Sequence, residues 1–117
     1  MSYAILDQRK FRILESEDLM NAWAAIGSGA DTKLVFEESK LSKTAKINGQ
    51  GDFRVISFDI GISFPIEEVI DVVSKKLKDS KISFFVAAAY MTNHMLIKQE
   101  DLGIVVEILT DLGFSVR

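Results

Sequence analysis

The 117 residues carry 48% hydrophobic and 26% charged side chains at a net charge of −3, enough apolar surface for a compact core and too much for a disordered chain. The absence of cysteine removes disulfides, thiolate metal sites and thiol nucleophiles, and a lone histidine, His94, removes multi-histidine metal sites and most catalytic triads. The 14 basic and 17 acidic residues are interspersed, unlike the basic face of a nucleic-acid binder. No apolar run reaches the roughly 18 residues of a membrane span, and the start lacks the apolar stretch of a signal peptide. The expectation is a cytoplasmic protein with neither nucleic acid nor membrane as partner.

In chain order, Tyr3 to Leu14 reads as strand, with Phe11 and Ile13 alternating against Lys10 and Arg12. Ser16 suits the N-cap of a predicted helix running through Ile26, with Glu17 and Asp18 in its first turn. Leu19, Met20, Trp23 and Ile26 would be its buried face, and Gly27-Ser28-Gly29 ends it. Lys33 to Glu37 is a strand centred on Leu34-Val35-Phe36. The polar stretch 38–52, with Asn48-Gly49-Gln50-Gly51, is a loop or irregular hairpin.

Arg54 to Asp59 mixes β-branched and aromatic residues, as strands do. Ile60 to Phe64 connects it to a helix opening at Pro65, where a missing N–H costs little. Ile66, Val69, Ile70, Val73 and Leu77 form one helical face, while Glu67 and Glu68 early and Lys75, Lys76 and Lys78 late complement the helix dipole. Ile82 to Ala89 is short and apolar enough for a strand buried on both faces, Tyr90-Met91-Thr92-Asn93 a turn, and His94 to Lys98 a returning strand. Glu100 and Asp101 open a second helix, with Leu102, Val105, Val106, Leu109 and Leu112 inward and Gly113 as its left-handed cap. Phe114-Ser115-Val116 is the last strand. The order β-α-β-β-α-β over 54–117 is the ferredoxin-like split pattern of an α+β fold. Residues 1–53 look like a worn partner of that unit, one strand short.

Chemistry concentrates at the strand-to-helix connection. Backbone amides at the start of the Pro65 helix can receive a carboxylate, and Asp59 is the nearest acidic side chain in sequence for an ammonium group. Gly61 allows either a tight turn or close ligand approach, and Ser63 suits a helix cap. Tyr90 and Asn93 are turn-flanking types. No pair of residues supplies a base against a nucleophile, so neither catalytic residues nor an enzyme is expected, and no cofactor or metal is implied.

The stretch Ile82-Ser83-Phe84-Phe85-Val86-Ala87-Ala88-Ala89-Tyr90-Met91-Thr92-Asn93-His94-Met95-Leu96-Ile97-Lys98-Gln99-Glu100-Asp101-Leu102 resembles the ACT domain. Ser83, Tyr90, Thr92, Lys98, Glu100, Asp101, Leu102, Gly113 and Phe114 fall on the pattern of the small double-ACT proteins whose subfamily includes cytosolic arginine sensors. The resemblance covers 54–117 closely and 1–53 loosely. It implies an ACT domain at 54–117 with a degenerate ACT-like half at 1–53. It further implies a homodimeric, non-enzymatic regulatory module that binds an amino acid or similar small metabolite at a domain or dimer interface. Carried onto this chain, the ligand region is Asp59, Gly61, Ile62 and Ser63, with Tyr90, Thr92 and Asn93 as a second candidate. Relatives often carry aspartate where this chain has Ser63, and polar or acidic residues where it has Ala87, Ala88, Met91 and Asn93. That loss of acidic groups points away from arginine and toward a small neutral amino acid. The alternative is a protein-interaction or oligomerisation module that keeps the fold without a ligand.

Overall fold

The computed structural model describes residues 3–14, 22–26, 33–41, 50–59, 66–89 and 92–117, with the backbone alone for Gln50, Ile66, Ala88, Ala89, Thr92 and Asn93. Along these residues run β1 (Tyr3–Leu6), β2 (Phe11–Leu14), β3 (Ala24–Ile26), β4 (Lys33–Glu37), β5 (Gln50–Asp59), α1 (Ile66–Asp79), β6 (Phe84–Ala89), β7 (Thr92–Lys98), α2 (Leu102–Asp111) and β8 (Ser115–Val116). Short 3-10 turns lie at Glu38–Lys40 and Gln99–Asp101. From β5 onward the order is the expected ferredoxin-like β-α-β-β-α-β.

Alternation along the strands sorts side chains into two cores. Ile56 on β5 and Met95 and Ile97 on β7 face the helices, where Ile70, Val73 and Leu77 of α1 and Val105 and Leu109 of α2 meet them, all buried. Burying a side chain of this size contributes about 1.5–3 kcal/mol, so the stripe that defines α1 in the sequence is also what holds it to the sheet. Phe53 and Val55 of β5, Ala87 of β6 and Leu96 of β7 face the other way and join Phe11, Ile13 and Val35.

The second core lies inside a ring. The strands follow the order β2-β4-β3-β6-β7-β5-β1-β8, and a further antiparallel pairing of β2 with β5, Phe11 to Phe53 and Ile13 to Gln50, ties six of them back on themselves. Within each half the order is first-third-second, β2-β4-β3 and β5-β7-β6. The joints between halves link like to like, β3 with β6 and β2 with β5.

β1 stands apart from this scheme. It lies between β5 and β8, antiparallel to the first and parallel to the second. Ala4 is fully buried there; the Arg117 N–H donates to the Ala4 carbonyl at 2.9 Å, and the Leu6 N–H to the Arg117 carbonyl at 2.9 Å. The Arg117 guanidinium stacks 3.7 Å from the Tyr3 ring centroid. The boundary expected between residues 53 and 54 falls inside β5.

Local expectations are corrected at four places, the first being that Gln50 to Asp52, expected in the 38–52 loop, open β5. The strand expected over Tyr3 to Leu14 is two strands, because Asp7 turns the chain: its carboxylate accepts the Arg9 backbone N–H at 2.9 Å and the guanidinium at 2.7 Å. Those bonds hold the Asp7 carboxyl below its ordinary range and raise Arg9, which also reaches Glu37. The helix expected through Ile26 does not extend that far. The Trp23 N–H donates to the Val35 carbonyl at 2.7 Å, and Ala24–Ile26 pairs with β4, so tertiary pairing overrides the local propensity; residues 16–21 of that expected helix lie outside the described residues. Finally, Thr92 and Asn93 are not turn residues but open β7, opposite Ala89 and Ala88. That leaves residues 90–91 between the two strands.

Candidate functional site

The strand ends that flank the two expected ligand regions, Asp59 of β5 and Thr92 of β7, lie at one end of the sheet. β5 and β7 run antiparallel with Ile56 opposite Met95, so the Asp59 end of β5 and the Thr92 end of β7 point the same way. Asp59 ends β5 opposite Tyr3 of β1, with an exposed side chain. Gly61, Ile62, Ser63 and Tyr90 lie outside the described residues, and Thr92 and Asn93 are placed by backbone alone.

Directly inward from this end, the strands bring together three residues that the sequence reading left unassigned to any site. Phe53, Val55, Ser57 and Asp59 share one face of β5, and His94 and Leu96 share the matching face of β7. Ser57 Oγ and His94 Nδ1 lie 2.6 Å apart, a hydrogen bond whichever atom carries the proton. The imidazole is 8% exposed and packs against Trp23, ring centroids 5.2 Å apart; Trp23 in turn packs on Phe11 at 4.9 Å. Pairing a buried polar group in this way avoids the desolvation cost of leaving it unmatched.

The expectation that no base stands against a nucleophile is corrected by this pair, whose members are 37 positions apart in sequence. Spacing alone does not make an active site. Hydrolytic chemistry also needs a group orienting the base and donors for an oxyanion. Ser57 already occupies Nδ1, the nitrogen such an orienting group would hold in that arrangement. Among the described residues, no group of three or more His, Cys, Asp or Glu gathers as a metal site. A polar residue at an inward position of an apolar strand was the available signal for both residues, Ser57 in step with Phe53 and Val55, and His94 in step with Leu96.

Two clefts lined by described residues lie away from Asp59, Ser57 and His94. One of about 290 Å³ is lined by Arg9, Lys10, Glu37, Glu38 and Ser39, and its principal charges are already paired, Arg9 with Asp7 and Glu37. Another, of about 280 Å³, lies between α1 and the end of α2, lined by Glu68, Val69, Val72, Leu112 and Phe114.

Comparison with known proteins places the chain. A sequence model of the ACT domain matches residues 49–111, from the start of β5 to the end of α2. The structure of protein Atu0741 from Agobacterium tumefaciens aligns with a TM-score of 0.72 at 17% identity, covering 98% of this chain and 92% of that one. VC0802, a Vibrio cholerae protein of unknown function named as a possible transport protein, aligns with a TM-score of 0.69 at 16% identity, covering 94% of this chain and 88% of that one. At these identities the likeness is one of fold. No curated protein matches the chain in sequence.

Proposed function

Because the chain belongs to the ACT domain family, whose members are commonly regulatory and ligand-binding, we propose that it is a non-enzymatic regulatory module that binds a small neutral amino acid. The match over 49–111 carries this reading, since it spans the elements flanking both candidate regions. In this reading the amides entering α1, with Gly61, Ile62 and Ser63, take the carboxylate, and Asp59 faces the ammonium group. Tyr90, Thr92 and Asn93 close the other side. Residues 1–53 act as a degenerate ACT-like half, a reading supported by the repeated first-third-second strand order. The module works in the cytoplasm as a homodimer. None of the helices among the described residues is long and apolar enough to cross a membrane.

A second reading, a ligand-free interaction module, draws on Val72 and Ile104, each 53% exposed on the helical layer. A thermal-shift screen against the twenty amino acids separates the two. A ligand at about 100 times its dissociation constant stabilises the folded state by about 2.7 kcal/mol, a shift of several degrees for a domain of this size. One selective shift, lost in the Asp59→Ala, Ser63→Ala double variant, supports the sensor and its site. A shift that the double variant keeps moves the site elsewhere. Silence across the panel turns the case to the interaction module.

A further inference from the structure

α1 carries its outward charges in two blocks. Glu67, Glu68 and Asp71 occupy the first half and Lys75, Lys76 and Lys78 the second, all exposed. None of these six forms an ion pair among the described residues. Between the blocks stands Val72, 53% exposed at the middle of the 14-residue helix. Glu68 lies one turn before it and Lys75 and Lys76 one turn after, on the same side of the helix. The helix dipole accounts for acids early and bases late. It does not account for a bare aliphatic side chain between them, nor for the cleft of about 280 Å³ that Val72 lines together with Glu68, Val69, Leu112 and Phe114.

The geometry points to this face of α1 as the contact between two copies of the chain, set antiparallel across a two-fold axis at Val72. This contact rests on the homodimer reading above and gives it a face. A two-fold interface uses the same patch on both subunits, so the patch must be complementary to itself. Reversing α1 about Val72 exchanges its halves. The acidic block of each copy then lies along the basic block of the other, with Glu68 level with Lys76 of the partner copy, while Asp79 at the helix end falls beyond the overlap. A parallel arrangement would set acid against acid and base against base. The charges therefore fix orientation and register, and Val72 meeting its counterpart beside the apolar cleft supplies the burial. At about 1.5 Å per residue α1 is about 21 Å long, a contact at the small end of the range for stable dimers, so dissociation on dilution is expected.

Sedimentation of the full chain over a range of concentrations should show a species of twice 13.1 kDa that dissociates on dilution and with added salt. Two charge-reversed variants, Glu67→Lys with Glu68→Lys and Lys75→Glu with Lys76→Glu, make the outer face of α1 nearly single-signed. Each alone should dissociate about tenfold more readily, as several weak surface pairs turn from attraction to repulsion. An equimolar mixture of the two should recover the dimer, because every reversed pair is then matched again. Circular dichroism of each variant checks that the helices fold. Val72→Lys, at an exposed position, should also weaken the dimer, and it decides alone if a charge variant does not fold. Variants that dimerise as tightly as the parent overturn this face and leave the homodimer reading standing. Folded charge variants that stay monomeric when mixed overturn the antiparallel register. A parent chain of 13.1 kDa at every concentration overturns the homodimer reading, and this contact with it.

Discussion

At the scale of single residues, the two helices end alike with unlike residues. After α2, the Phe114 N–H donates to the Leu109 carbonyl and the Gly113 N–H to that of Thr110, both at 3.0 Å, with Gly113 at φ 98°. After α1, the Ile82 N–H reaches the Leu77 carbonyl at 2.9 Å and the Lys81 N–H that of Lys78 at 3.0 Å, with Lys81 at φ 59°. Both are the same left-handed terminus, but only glycine adopts it without crowding its Cβ. Gly113→Ala should therefore lose about 1 kcal/mol, and Lys81→Gly should gain about 0.5–1 kcal/mol after its extra unfolded-state entropy is charged. Thermal melts moving in opposite directions confirm this; a fall in both would show that the Lys81 side chain stabilises the native state by more than its backbone costs. The two termini also mark a limit of legibility. Glycine after an amphipathic run announces a cap, whereas a lysine in the same conformation leaves no trace in the sequence. The pairing of Ser57 with His94 was hidden for a related reason: each residue's inward polar position shows in its own strand, but their meeting arises from register between strands.

At the scale of elements, α1 and α2 were legible because a helix carries its period within itself. β4 was legible as a dense apolar run. β3 was not: Ala24-Ala25-Ile26 has no strand signature, and only its partners β4 and β6 make it one. β1 is the plainest case. As a segment it reads as strand, but its place between β5 and β8 depends on a pairing across more than fifty positions, Ile5 with Ser57 among them. A consequence can be measured. A fragment of residues 50–117 contains the whole β-α-β-β-α-β unit yet lacks the strand that fills the sheet between β5 and β8. It should show little cooperative unfolding by circular dichroism, and a peptide of residues 1–10 added in trans should recover part of the native signal. A fragment that melts cooperatively alone would show that β8 can close directly onto β5.

At the scale of the molecule, the two cores lie back to back across the same strands. Val55 points into the ring and Ile56 toward the helices; on β7, Leu96 and Met95 divide in the same way. Neither layer can loosen without disturbing a strand that carries the other, so the chain should unfold as one cooperative unit. Trp23 belongs to the ring and both helices to the other layer, which gives two independent probes. Urea transitions followed by Trp23 emission and by far-ultraviolet circular dichroism should coincide in midpoint and slope. Emission changing first would mean that the ring opens while the helical layer persists. The strand ends flanking the expected ligand regions come together for the same architectural reason: antiparallel pairing of β5 with β7 brings Asp59 and Thr92 to one end of the sheet. What no linear reading supplies is the ring itself.

The return of β2 onto β5 also bears on how the protein behaves when crowded. A sheet ordinarily ends in two rows of unpaired N–H and C=O groups, and such rows recruit further chains edge to edge. Here one end of the strand order is stitched back into the sheet, and the other is β8, only Ser115 and Val116 long. So short a border offers too few groups in line to template a growing stack. Among the described strands, the fold thus suppresses edge-on aggregation through its topology, leaving the charges on its surface free for other roles.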